Sequence, residues 1–109
     1  MAEFASDILF SIDTALQLKN GLNVETITVS KTLTFQDSSI QILRNETGGM
    51  DCNLPALKSG CRFWIKSHGS STSATAVKAH LGNTIATLTA NDSVMVACDD
   101  TAWYGIITG

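Results

Sequence analysis

The chain has 109 residues, a formal net charge of −3, and a charged fraction of only 16% beside a hydrophobic fraction of 44%. That length makes one domain with one core. Seven Lys and Arg residues scattered singly exclude a nucleic-acid surface built on counterion release, and no apolar run approaches the roughly 18 residues of a membrane span.

The start of the chain lacks the basic, apolar and small-residue succession of a signal peptide. The expectation is a protein made in the cytoplasm that contacts neither nucleic acid nor membrane. So low a charge leaves faces of Ser, Thr, Asn and small apolar residues, suited to burial against identical copies or a protein lattice. The plainer alternative is a neutral, hydroxyl-rich monomer surface.

Residues 1–21 carry Phe4, Ile8, Leu9, Phe10, Ile12, Ala15, Leu16 and Leu18 with neither a two-residue nor a helical period. They read as an irregular N-terminal arm over residues 1–23, which packs on its own domain or reaches to a neighbour; residues 24–109 form the β domain. From 24 to 35 the pattern predicts one long strand bent near Ser30 and Lys31. Ile27, Val29, Leu33 and Phe35 share its inner face and hydroxyls its outer face. After a turn at 36–38, residues 39–43 make a short strand with Ile40 and Ile42 inward.

Gly48-Gly49 marks a loop, and strands at 50–54 and 61–67 meet through Pro55 and Gly60, proline standing where pairing stops. Residues 68–73, His-Gly-Ser-Ser-Thr-Ser, read as a flexible surface loop. Residues 74–81 alternate as a strand, with a short helix the minority reading. Gly82-Asn83 turns into a strand at 84–89. Residues 94–99 and 103–108 close the chain as a hairpin around Asp99-Asp100-Thr101. About eight strands without a long helix predict an all-β fold: an antiparallel β-sandwich or jelly-roll-like barrel with an irregular N-terminal arm. Its core is expected from Ile27, Val29, Leu33, Phe35, Ile40, Ile42, Leu54, Phe63, Ile65, Val94, Val96 and Trp103.

The chemical inventory is thin. Cys52, Cys61 and Cys98 sit at inward positions of alternating runs and read as core thiols. A zinc site with His68 and His80 is the sharper alternative, but no Cys-x-x-Cys or His-x₃-His spacing supports it. Ser67, His68 and His80 have no nucleophile elbow around them. Asp92, Asp99 and Asp100 lie in turns, where aspartate caps backbone amides, and the acidic loop of a specific calcium site is missing. No catalytic residue, metal or cofactor is expected. Trp64 points away from Phe63 and Ile65, and Trp103 and Tyr104 point to opposite faces of one strand. Trp64 and Tyr104 are therefore the candidate subunit-interface residues, because exposed aromatics carry much contact energy.

One longer pattern runs through residues 33–109. A polar turn at Thr34-Phe35-Gln36-Asp37-Ser38 precedes the corner Leu54-Pro55-Ala56. The strand start Gly60-Cys61-Arg62-Phe63 follows, and the chain closes on Asp99-Asp100-Thr101-Ala102-Trp103. This text resembles the small β-rich decoration (cement) proteins on the heads of tailed phages. The resemblance implies a non-enzymatic homotrimer on the outer surface of the capsid, at three-fold or quasi-three-fold positions, with the major capsid protein as partner. The arm has no counterpart in the pattern, which makes Phe4, Ile8, Leu9 and Phe10 the candidate capsid-binding residues. A receptor- or glycan-binding tip or collar module of a tail fibre is the alternative. Such a module is expected to follow a long shaft, so a start at Met1 favours the decoration protein.

Overall fold

Alternating β-branched and apolar residues become strands throughout. The computed structural model describes residues 21–57 and 61–107, and among these it holds nine strands and no helix. In chain order they are β1 (Leu22–Ile27), β2 (Lys31–Thr32), β3 (Ile40–Asn45), β4 (Met50–Asn53), β5 (Arg62–Ser67), β6 (Thr75–Lys78), β7 (Thr84–Leu88), β8 (Ser93–Cys98) and β9 (Trp103–Ile107). They form two sheets, ordered β1-β3-β5-β8-β9 and β2-β4-β6-β7. One core lies between them. Leu43, Phe63, Ile65, Val94 and Val96 reach into it from the first sheet, and Cys52, Val77, Ala86 and Leu88 from the second.

The pairing departs from the expected antiparallel arrangement. β1–β3 and β3–β5 pair in parallel, as do β2–β4 and β4–β6. The chain alternates between sheets, so β1β2, β3β4 and β5β6 are three successive coils laid one on another. Antiparallel pairing is confined to β6–β7, β5–β8 and β8–β9. The cause lies in the short links. Residues 28–30, 46–49 and 68–74 turn a corner from one sheet to the other, so each strand meets its neighbour one coil later and in the same direction. Gly48, at φ 119°, supplies a left-handed residue for the second of these corners.

Residues 24–35 are accordingly two strands and a corner. Ile27 and Leu33 are buried as expected, but Val29 stands on the corner, 71% exposed, and Phe35 is half-buried. β3 is turned over relative to expectation: Gln41, Leu43 and Asn45 point inward, while Ile40 is exposed and Ile42 half-buried. A one-residue change of register exchanges the two faces of a strand, and the apolar pair at 40 and 42 had selected the wrong one. β1 begins at Leu22, inside the expected arm. Residues 1–20, with Phe4, Ile8, Leu9 and Phe10, lie outside the described residues.

The inward rows become polar toward the first coil. Across the first sheet one row reads Val94, Ile65, Gln41, Asn23, and across the second another reads Ala86, Val77, Cys52, Lys31. Asn23 Nδ2 donates to Gln41 Oε1 at 2.7 Å, and Gln41 Nε2 donates to the Ser38 carbonyl at 2.8 Å. Lys31 pairs with Glu25 across the gap between the sheets and holds its carboxyl below the usual carboxylate range. Among the described residues, the first-coil end of the core is thus lined by polar groups that satisfy one another.

The segment at 68–73, expected to be flexible, is tied to Asn45. The amides of Thr72 and Ser73 donate to the Asn45 carbonyl, and the Asn45 amide donates to Ser71 Oγ at 3.1 Å. Asn45 Nδ2 donates to the carbonyls of Gly48 and Ala74, at 2.7 and 2.9 Å, and the Gly48 amide donates to Ser73 Oγ. Asn45 itself is fully buried. Its side chain supplies a donor to the Gly48 carbonyl and a second one to the Ala74 carbonyl, which also accepts the Met50 amide.

A candidate docking face

Groups that carry chemistry are spent on structure. Asp92 accepts the amide and hydroxyl of Thr89, and Asp99 accepts the amides of Thr101 and Ala102. Both aspartates cap their turns as the sequence predicts, and these bonds hold both carboxyls below the ordinary range. His68 Nδ1 accepts the Ser70 amide, and His80 lies exposed beyond β6. Cys52 and Cys98 are buried and Cys61 is half-buried, with no disulfide among them. Burial pushes the Cys52 thiol up to about 12, far from nucleophilic at neutral pH. Among the described residues no group of three His, Cys, Asp or Glu side chains is arranged to hold a metal ion.

The outer face of the first sheet is different. Parallel and antiparallel registers align Leu22 with Ile40, Ile40 with Trp64, Trp64 with Met95, and Met95 with Ile106. One apolar row therefore crosses all five strands, and each of its residues is exposed, from 37% at Met95 to 65% at Ile106. Val24 and Ile42 extend it on one side. On the other side Arg62, Ala97 and Tyr104 form the adjoining row. A cleft of about 150 Å³ opens beside Trp64, walled by Ser39, Ile40, Arg62, Phe63 and Met95.

Both predicted interface residues fall on this face. Trp64 is 44% exposed between the buried Phe63 and Ile65, and Tyr104 is 56% exposed, its hydroxyl donating to Asp99 Oδ2 at 3.1 Å. Trp103 turns the other way. It is buried, stacks at a tilt 6.1 Å from Phe63, and its Nε1 donates to the Pro55 carbonyl at 3.0 Å. Sequence reasoning missed Leu22, Ile40, Met95 and Ile106. The exposure of Leu22 and Ile40 follows from the parallel stacking of the first coils, which periodicity along a single strand does not encode.

The charge on this face is one-sided. Its strand positions include Arg44, Arg62 and Lys66 and no carboxylate. Arg44 reaches off the strand to Glu46, at 2.9 Å. The second sheet's outer positions, by contrast, read Thr32, Asp51, Asn53, Ala76, Lys78 and Thr87. The two sheets thus share a core but present opposite chemistry to the outside. Compared with protein-family models, with curated proteins and with solved structures, the chain matches none.

Proposed function

We propose that the protein is a phage head decoration (cement) protein. It binds the outer surface of the icosahedral head as a homotrimer at three-fold or quasi-three-fold positions, contacts the major capsid protein and stabilises the shell. The observation that carries this reading is the exposed apolar row Leu22–Ile40–Trp64–Met95–Ile106, of the kind that protein contacts use, on a small sandwich-like platform of two sheets. The resemblance of residues 33–109 to decoration proteins supplies the biological setting.

Physical reasoning supports the arrangement. A trimer matches the symmetry of a three-fold site, so three identical contacts form at once. If each contact has only a millimolar affinity, about −4 kcal/mol, linkage of three makes the attachment tight through effective concentration. Shell expansion or rupture must then break these contacts as well as coat–coat contacts.

The test is co-sedimentation of purified protein with empty heads of the parent phage that lack it, followed by thermal rupture of the loaded heads. Binding at saturating occupancy with a higher rupture temperature is expected. Protein that stays in the supernatant at every concentration and leaves rupture unchanged removes the reading.

A further inference from the structure

We infer that the outer face of the β1-β3-β5-β8-β9 sheet is the surface on which copies of this chain pack against one another. The inference rests on the reading above that the protein acts as an oligomer, and it assigns the face. The five side chains of the row, with Val24 and Tyr104 beside them, are each 37–65% exposed. Together they offer on the order of 600 Å² of side-chain surface, against about 800 Å² per partner in a standard interface and about 300–600 Å² in the largest patch of an ordinary monomer. The patch stands at the upper end of the monomer range, and about 200 Å² more from its outward neighbours Thr26, Arg62, Lys66 and Ala97 brings it to a standard interface.

The distribution of polarity fits the same occupant. Trp64 stands at the middle of the row, where a large aromatic contributes most to an interface, and the aligned side chains form a continuous sheet surface of the kind that packs about 10 Å from another. Arg62 and Lys66 flank the row on opposite sides. Both lie two residues from Trp64 on the central strand, where their long apolar stems add to the contact and their charged ends reach toward water. The remaining apolar exposure among the described residues is dispersed: Val29 sits on the first corner and Leu81 in the β6–β7 turn.

The experiment is light scattering and sedimentation equilibrium on the full chain over a dilution series, with acrylamide quenching of the exposed Trp64. A mass above 11.6 kDa that falls on dilution is expected. Trp64→Ser should weaken self-association by about thirty-fold or more. Ile106→Ser, at the sheet edge, should weaken it less, and both should keep the wild-type circular dichroism and the melting temperature of the wild type diluted to its dissociated form. Leu81→Ser should leave the mass unchanged. Salt should not dissociate the oligomer, whereas release by salt would indicate a charge-held contact and overturn the assignment.

A wild type that stays at 11.6 kDa at about 100 µM, far above a micromolar dissociation constant, overturns it as well. If that monomer also shields Trp64 from acrylamide, residues 1–20 of the same chain cover the face. An oligomer indifferent to Trp64→Ser and Ile106→Ser uses another surface and equally refutes the inference. An oligomer that depends on Trp64 but ignores empty heads preserves the face and removes the decoration reading, so the two failures are separable.

Discussion

The Cγ2 methyl of Ile85 on β7 lies 2.5 Å from the point where a β-carbon on Gly105 of β9 would stand. One sheet's side chain therefore fills the space that the other sheet's residue leaves empty. The register of β6 against β7 shifts at Val77 and Lys78, so Ile85 lies within the irregular stretch and its side chain reaches β9. Val94 Cγ2 is 3.3 Å from the same point, which leaves little room for adjustment.

Gly105→Ala should therefore overpack this junction and cost about 1–3 kcal/mol, measured by urea titration. Ile85→Ala in the same chain should recover much of that loss, a coupling that a double-mutant cycle reads directly. Two additive effects would show that the strands tolerate the methyl group by other movements.

Core and corner positions should separate sharply. Phe63→Ala, at a closed site against Trp103, should cost about 3–5 kcal/mol. Val29→Ala, on the exposed corner, should stay within about 0.5 kcal/mol. Comparable losses at both sites would mean that the corner is packed.

Asn45→Ala should cost roughly 1–3 kcal/mol, because the Gly48 carbonyl loses its Asn45 donor and the Ala74 carbonyl keeps only the longer bond from the Met50 amide. Hydrogen exchange at Thr72 and Ser73 should accelerate beyond the change in global stability, since the residue-45 carbonyl they bond to is held in place by the lost side-chain bonds to Gly48 and Ala74. Unchanged exchange there would show that the segment holds its shape without the asparagine side chain.

Acid should destabilise the protein through its turns. Asp92 is held below the usual range first by the Thr89 hydroxyl and then by its amide, and Asp99 by the amides of Thr101 and Ala102. A carboxyl whose folded pKa is depressed contributes stability that is full above the unfolded value. That contribution is lost as pH falls through the folded one. The melting temperature should therefore drop as pH falls below about 4. Asp92→Asn and Asp99→Asn should each flatten that drop. A profile unchanged by both variants would place the acid sensitivity elsewhere, with Glu25 and its Lys31 partner the next residues to test.

Cys61 and Cys98 follow one residue beyond Arg62 and Ala97, the last pair of the antiparallel β5–β8 ladder, and the Cys98 amide donates to the Cys61 carbonyl at 3.1 Å. A hydrogen-bonded cross-strand pair places its Cα atoms about 5.5 Å apart, within the range a disulfide spans. Diamide should join these two residues and leave Cys52 alkylatable only after unfolding. Peptide mapping that finds Cys52 in the crosslink, or no crosslink in the native protein, would contradict this placement.

Local pattern was enough for the elements that close the chain. The alternation at 61–67 put Phe63 and Ile65 inside and Trp64 outside, and the adjacent aromatics at 103 and 104 split between core and surface, because side-chain direction along a strand has a period of two. The turn chemistry of Asp92 and Asp99 was equally readable, since a capping carboxylate acts within three residues. Strand direction was not readable. A corner such as 28–30 or 46–49 looks like a hairpin turn in sequence, yet here it passes the chain to the opposite sheet and makes the next neighbour parallel. That choice turned over β3, buried Gln41 against Asn23, and aligned Leu22, Ile40 and Trp64 on the outside. Alternation is a property of one strand, whereas register is a property of two. The apolar face exists only because residues far apart in the chain are stacked at the same height.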